Sequence, residues 1–150
     1  MPEKQFIMRW RGLGKQVRVR AIDHNQEIFS WFVKNLPTSC LQTETVVAGK
    51  SLFMLNVPMK KVACDWIQEE RRVEDVVQMP IGRMTFFMTT GNVADISCKF
   101  GQMTEPMSYV TWAEVIEEDK PILVEVGELL WENTMCEKKP IIVEFVDEEG

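Results

Sequence analysis

Residues 82–100 read Gly-Arg-Met-Thr-Phe-Phe-Met-Thr-Thr-Gly-Asn-Val-Ala-Asp-Ile-Ser-Cys-Lys-Phe, and this stretch decides the fold class. Its second half alternates without a break, Ala94, Ile96, Cys98 and Phe100 against Asp95, Ser97 and Lys99. A period of two sends one set to a buried face and the other outward, which marks a half-buried strand. Arg83–Met88 reads as the partner strand, and Thr89-Thr90-Gly91-Asn92 between them supplies the turn residues of a hairpin.

The same pattern recurs on either side. Phe6, Met8 and Trp10 alternate with Ile7, Arg9 and Arg11, Gly12-Leu13-Gly14-Lys15 turns the chain, and Val17, Val19 and Ala21 alternate with Arg18 and Arg20. The arginine stripe on the second strand reads as a guard against edge-to-edge pairing. A further hairpin is expected from Glu44–Ala48 and Ser51–Val57, turning at Gly49-Lys50. The period lengthens at Ile28, Phe29, Phe32, Val33 and Leu36, which predicts a helix over Asn25–Leu36 with Asp23 as its cap and Pro37 as its stop. A second helix is expected over Ser108–Glu118, with Tyr109, Trp112, Val115 and Ile116 on one face and Pro121 ending the segment. Ile122–Val126 and Pro140–Val146 read as closing strands. Lys60–Pro80 is irregular, and Asp65–Val77 within it reads as a short helix or an excursion.

Hairpins in series without βαβ alternation favour a mainly β fold. The expectation is a closed or nearly closed antiparallel β-barrel of about eight strands with two short helices, residues 1–150 forming one domain. A chain of 150 residues buries enough surface for a core without staples.

Composition excludes several classes of function. There are 17 lysines and arginines against 23 aspartates and glutamates, a net charge of −6, which argues against nucleic acid and against an anionic membrane surface. No apolar run reaches the roughly 18 residues of a membrane helix, and the start lacks the basic and apolar regions of a signal peptide. Cys40, Cys64, Cys98 and Cys136 include no C-x-x-C pair, so reduced thiols in a cytoplasm are expected and a structural zinc site is not. No spacing calls for a metal or a cofactor.

Three segments carry a resemblance: Phe29 to Pro37, Gly82 to Phe87, and Phe100 to Met107. With the order of elements around them, they resemble the cyclophilin-like barrel, and more narrowly an uncharacterised bacterial family of small cyclophilin-like proteins. The resemblance implies the barrel. It does not carry prolyl isomerisation with it, because isomerases of that fold present a Phe-His-Arg segment. Here the single histidine, His24, is followed by Asn25.

For function, the expected site is a small-molecule pocket beside residues 101–112, read as a strand-to-helix loop, where scaffolded loops hold binding groups. Arg83, Glu105, Tyr109 and Trp112 are the expected ligand-binding residues, with Met103 and Met107 as adaptable apolar contacts. Glu105 equally suits a helix N-terminus, and Arg83 an exposed strand position. His24 beside Asp23 matches an oriented general base, yet a surface or cap role is the commoner use of such a pair. Asn56 is a polar residue within an apolar strand, Cys98 an inert inward thiol, and Glu117-Glu118-Asp119 a solvated cluster. Trp31 falls off the helical stripe and suggests a subunit contact. Binding is favoured over catalysis, since no activated nucleophile stands out. The alternatives are a prolyl-isomerase-like or peptide-binding module and a non-catalytic oligomeric scaffold subunit; self-association into a homo-oligomer is compatible with the small-molecule reading as well.

Overall fold

The computed structural model describes residues 4–59, 71–88 and 93–148. The hairpin that opens the chain pairs β1 (Gln5–Trp10) with β2 (Lys15–Ala21), Phe6 opposite Val19 and Met8 opposite Val17. Gly14, in the left-handed region at φ 64°, closes the turn between them, a conformation glycine adopts without steric cost. Next come α1 (Gln26–Lys34), β3 (Thr38–Glu44), β4 (Gly49–Pro58) and the short β5 (Val73–Asp75). They are followed by β6 (Arg83–Met88), β7 (Val93–Met103), β8 (Ser108–Val115), α2 (Lys120–Glu132) and β9 (Ile142–Asp147).

The sheet runs β2-β1-β9-β3-β4-β7-β6-β8, and a further β2–β8 pairing closes it into an eight-stranded antiparallel barrel. The extra strand β5 adds to β8 through Val73, Glu74 and Asp75, alongside the stretch of β8 that meets β2. Strands β6 and β7 pair with Met84 opposite Cys98 and Phe86 opposite Ile96, as the alternation of residues 82–100 predicts. The expected turn at residues 89–92 lies outside the described residues, as do most of the irregular 60–80 stretch and the first part of the expected helix over Asp65–Val77. The described end of that stretch holds β5 and a turn, not a helix.

Side chains fill the interior. Phe6, Phe32, Trp112 and Phe145 are fully buried, with ring centroids 4.9 Å apart for Phe32–Trp112 and 5.4 Å for Phe32–Phe145. Helix α1 brings Ile28, Phe29 and Phe32 into this cluster, and α2 brings Leu123, Val126 and Leu130. Gly127 lets α2 approach closely, since a Cβ there would stand 2.2 Å from a carbon of the Phe100 ring.

Several expectations are corrected. Ser108–Val115 is a strand, not a helix. Its apolar spacing mimics a helix because a β-bulge interrupts the alternation: Thr111 faces Thr85 and Ala113 faces Met84, which leaves Trp112 as the extra residue. Ile122–Val126 belongs to α2, where Leu123, Val126, Gly127 and Leu130 form one buried face and Pro121 starts the helix instead of ending a segment. The β3–β4 connection turns at residues 45–48 and not at Gly49-Lys50. Asn25, not Asp23, holds the N-cap position of α1. Trp31 is 4% exposed with its ring edge-on to Phe86, which withdraws it from any subunit contact. Asn56 is exposed, at φ 56° beside a register shift in β4. The arginine stripe of β2 guards no open edge, because β2 is paired on both sides and Arg18 holds Asp119 through two side-chain bonds of 3.0 Å.

Candidate functional site

The bulge in β8 has a consequence on the barrel's outer surface. It lets Thr111 and Glu114, three residues apart, both meet polar partners outside, while Trp112, Ala113 and Val115 join the core. Cross-strand register places Glu114 between Arg20 of β2 and Arg83 of β6. Its side chain is 7% exposed, with one oxygen 2.9 Å from Arg20 Nη2 and the other 3.5 Å from Arg83 Nε and 3.8 Å from Lys120 Nζ. Arg83 Nε also lies 3.5 Å from Glu74 Oε1. These distances give charge pairing without a good hydrogen bond, and Arg83 Nε is buried with no hydrogen-bond partner among the described residues.

The β2–α1 loop adds the second half. Asn25, left-handed at φ 54°, donates from Nδ2 to the carbonyls of Thr111 at 2.7 Å and Arg72 at 2.9 Å, which hooks the loop onto β8. His24 is thereby set between Asp23 Oδ1, 2.7 Å from its Nδ1, and Thr111 Oγ1, 2.7 Å from its Nε2. Thr111 donates its hydroxyl proton to Glu74 Oε1 at 2.7 Å. A hydroxyl has one proton to give and a carboxylate none. With Thr111 donating to Glu74, its oxygen accepts from His24 Nε2, and the Asp23 contact takes one further proton, shared between Nδ1 and the carboxyl. The chain Asp23–His24–Thr111–Glu74 is arranged to hold and pass a proton, running from exposed Asp23 inward. The hydrogen bond from His24 holds the Asp23 carboxyl below the usual carboxylate range, against a smaller opposing effect of burial. A cleft of about 240 Å³ opens here, lined by Arg20, Ile22, Asp23, Arg83 and Glu114.

Of the four residues expected to bind ligand, Arg83 alone lines this cleft. Trp112 lies in the barrel interior, its indole N–H donating to the Thr85 carbonyl at 3.0 Å. Tyr109 is set edge-on against Phe87 at 4.2 Å, and its hydroxyl meets the Met107 sulfur at 3.1 Å. It lies five positions from Glu114 along β8, about 16 Å at a strand's rise. Glu105 is exposed in the connection between β7 and β8, which is strand-to-strand and not strand-to-helix. The His24–Asp23 geometry is the oriented one that the sequence offered as the rarer reading. Glu74, Thr111 and Glu114 escaped notice because they come from segments with no shared motif. The only advance signal was the polar face of β2 that contains Arg20.

A second groove, of about 350 Å³, is lined by Leu41, Thr43, Glu44, Asn133, Lys138 and Pro140 among others. Both Glu44 oxygens are buried without a hydrogen-bond partner among the described residues, and burial, aided by Glu128 and opposed by Lys50, pushes that carboxyl up to about 7. Burial likewise pushes the Cys40 thiol up to about 12 and the Cys98 thiol still higher, which leaves both inert as nucleophiles. Among the described residues no three His, Cys, Asp or Glu side chains stand close enough to hold a metal, and no helix is long and apolar enough to cross a membrane.

No protein-family model matches the chain, and no curated protein matches it. Among solved structures, McbB in complex with tryptophan is similar at a TM-score of 0.81 and 24% identity, over 97% of this chain and 45% of that one. The chain thus spans less than half the length of that protein, and at this identity the likeness is one of fold: the closed antiparallel barrel.

Proposed function

We propose that the chain binds a small zwitterion of the amino-acid class in the cleft between β2, β6, β8 and the β2–α1 loop. The observation that carries this reading is Arg83, whose Nε is buried between two carboxylates at the wall of an open cleft, with no hydrogen-bond partner among the described residues. Arg20 and Arg83 would take the ligand carboxylate, and Asp23 and Glu114 its ammonium. A guanidinium suits the first role because its fork matches a carboxylate. The tryptophan bound to McbB supports the ligand class through a shared fold. The proton chain behind His24 makes proton exchange with the ligand available without requiring it. Of the expected quartet, this reading keeps Arg83 and makes no use of Glu105, Tyr109 and Trp112. Kinship with the cyclophilin-like family and residence in a reducing cytoplasm belong to the same proposal. The closed barrel suits the first, and the free thiols of Cys40, Cys98 and Cys136 suit the second.

Titration calorimetry with a panel of free amino acids, tryptophan included, tests the reading. A charge-assisted hydrogen bond is worth about 1.5–3 kcal/mol, so Arg83→Ala should weaken binding by roughly 10- to 100-fold. If no amino acid binds at millimolar concentration, or if Arg83→Ala binds as wild type does, the reading fails.

A further inference from the structure

Lys99 sits on β7 at 6% exposure, on the polar side of the alternation that opened the sequence. Its ammonium meets three backbone carbonyls, those of Val76 at 2.8 Å, Val77 at 3.1 Å and Met79 at 2.8 Å. An ammonium has three protons and no acceptor, so the set uses its whole capacity. Burial holds Lys99 below the usual lysine range, with Asp75 opposing. A buried charge of this kind persists only when fully hydrogen-bonded.

What the clasp holds is the segment immediately after β5. That strand is three residues long and, among the described residues, pairs only with β8. Beyond it, Val77 N–H donates to Asp75 Oδ1 at 2.9 Å, and Val76 and Met79 form a small cluster with Met103. So short a strand has little of its own to fix it. It carries Glu74, which accepts from Thr111, stands 3.5 Å from Arg83 and lies 3.6 Å from His24 Nε2.

We propose that Lys99 is a positioning residue for the cleft: by clasping residues 76–79 onto β7 it sets where Glu74 stands, and through Glu74 the hydrogen bonding of His24. Its meaning for a ligand rests on the function proposed above. The test needs no ligand, so a failed amino-acid titration and a failed clasp are told apart.

His24 is the single histidine, so the imidazole signals in a nitrogen-15 spectrum belong to it alone. The Trp112 indole N–H, bonded to Thr85, reports the intact barrel in the same spectrum. With the Trp112 signal unchanged, Lys99→Met should speed exchange of the His24 Nε2 proton about tenfold or more, and any smaller acceleration overturns the proposal. Lys99→Arg keeps the charge and should accelerate exchange less than Lys99→Met, and equal acceleration would assign the effect to packing and overturn it. If Lys99→Met does not fold, the unaltered protein decides. The His24 Nε2 proton and the Val77 amide should then be slowed by a common factor, each relative to its own unprotected exchange rate, and factors differing by about tenfold or more overturn the proposal.

Discussion

Glu114 and Glu44 are two carboxylates withdrawn from water on opposite sides of one barrel, β8 and β3 lying four strands apart either way round the ring. Glu114 has three cations within 4 Å: Arg20, Arg83 and Lys120. Among the described residues neither Glu44 oxygen has a hydrogen-bond partner, and its carboxyl is pushed up to about 7. Register separates them. On each side of Glu114 the opposing residue is an arginine, whereas Glu44 opposes Leu52. Burial alone therefore does not tell what a carboxylate does here; its cross-strand partner does.

The comparison can be broken most forcefully at Glu114. Removing one member of a buried ion-paired set typically costs about 3–5 kcal/mol. Arg20 keeps partial exposure, 36% of its side chain, so Glu114→Ala should cost about 2–4 kcal/mol in urea denaturation. A loss under about 0.5 kcal/mol would mean that the arginines do not depend on it.

Glu44 gives a smaller effect of the opposite sign. Its folded value of about 7 lies above the ordinary 4.5. The stability tied to its protonated form is therefore complete below pH 4.5 and is lost as pH rises through about 7. Glu44→Gln, which stays neutral, should match wild type near pH 4.5 and be more stable by about 1–2 kcal/mol at pH 8, after allowance for partial exposure. Equal stability of the two proteins across this range would show that Glu44 finds water or a partner when ionised. The smallest effect belongs to an exposed pair. Arg11 lies 2.5 Å from Glu144 with 69% of its side chain exposed, and Arg11→Ala should change stability by less than about 0.5 kcal/mol. A larger loss would mean that distance, not burial, ranks the ion pairs of this barrel.

Legibility followed local periodicity. The β1–β2 and β6–β7 pairs and helix α1 could be read because their patterns are unbroken over six residues or more. Strand β8 and helix α2 were exchanged in the reading for one reason: the bulge at Trp112 put apolar side chains at a near-helical spacing, while Pro121 looked like a stop and is a start. Among site residues, Arg83 was visible as a charged residue at a strand start. Glu74, Thr111 and Glu114 were not, since each is an ordinary residue until register and bulge bring it beside the others.

By itself the sequence determined the fold class, because the period of two along β1, β2 and β7 obliges one face of each strand to be buried. It also determined the inward set of that sheet, Phe6, Met8, Val17, Val19, Ile96 and Phe100, all of which lie in the core. Tertiary structure alone decided that Arg20, Asp23, Arg83 and Glu114 line one cleft, and that His24, Thr111 and Glu74 are joined to it by hydrogen bonds through Asp23. Those residues are spread over the β2–α1 loop and strands β2, β5, β6 and β8, and only ring closure through β2–β8 brings the segments together. A hydrogen bond depends on where the backbone has been carried, which no local pattern records.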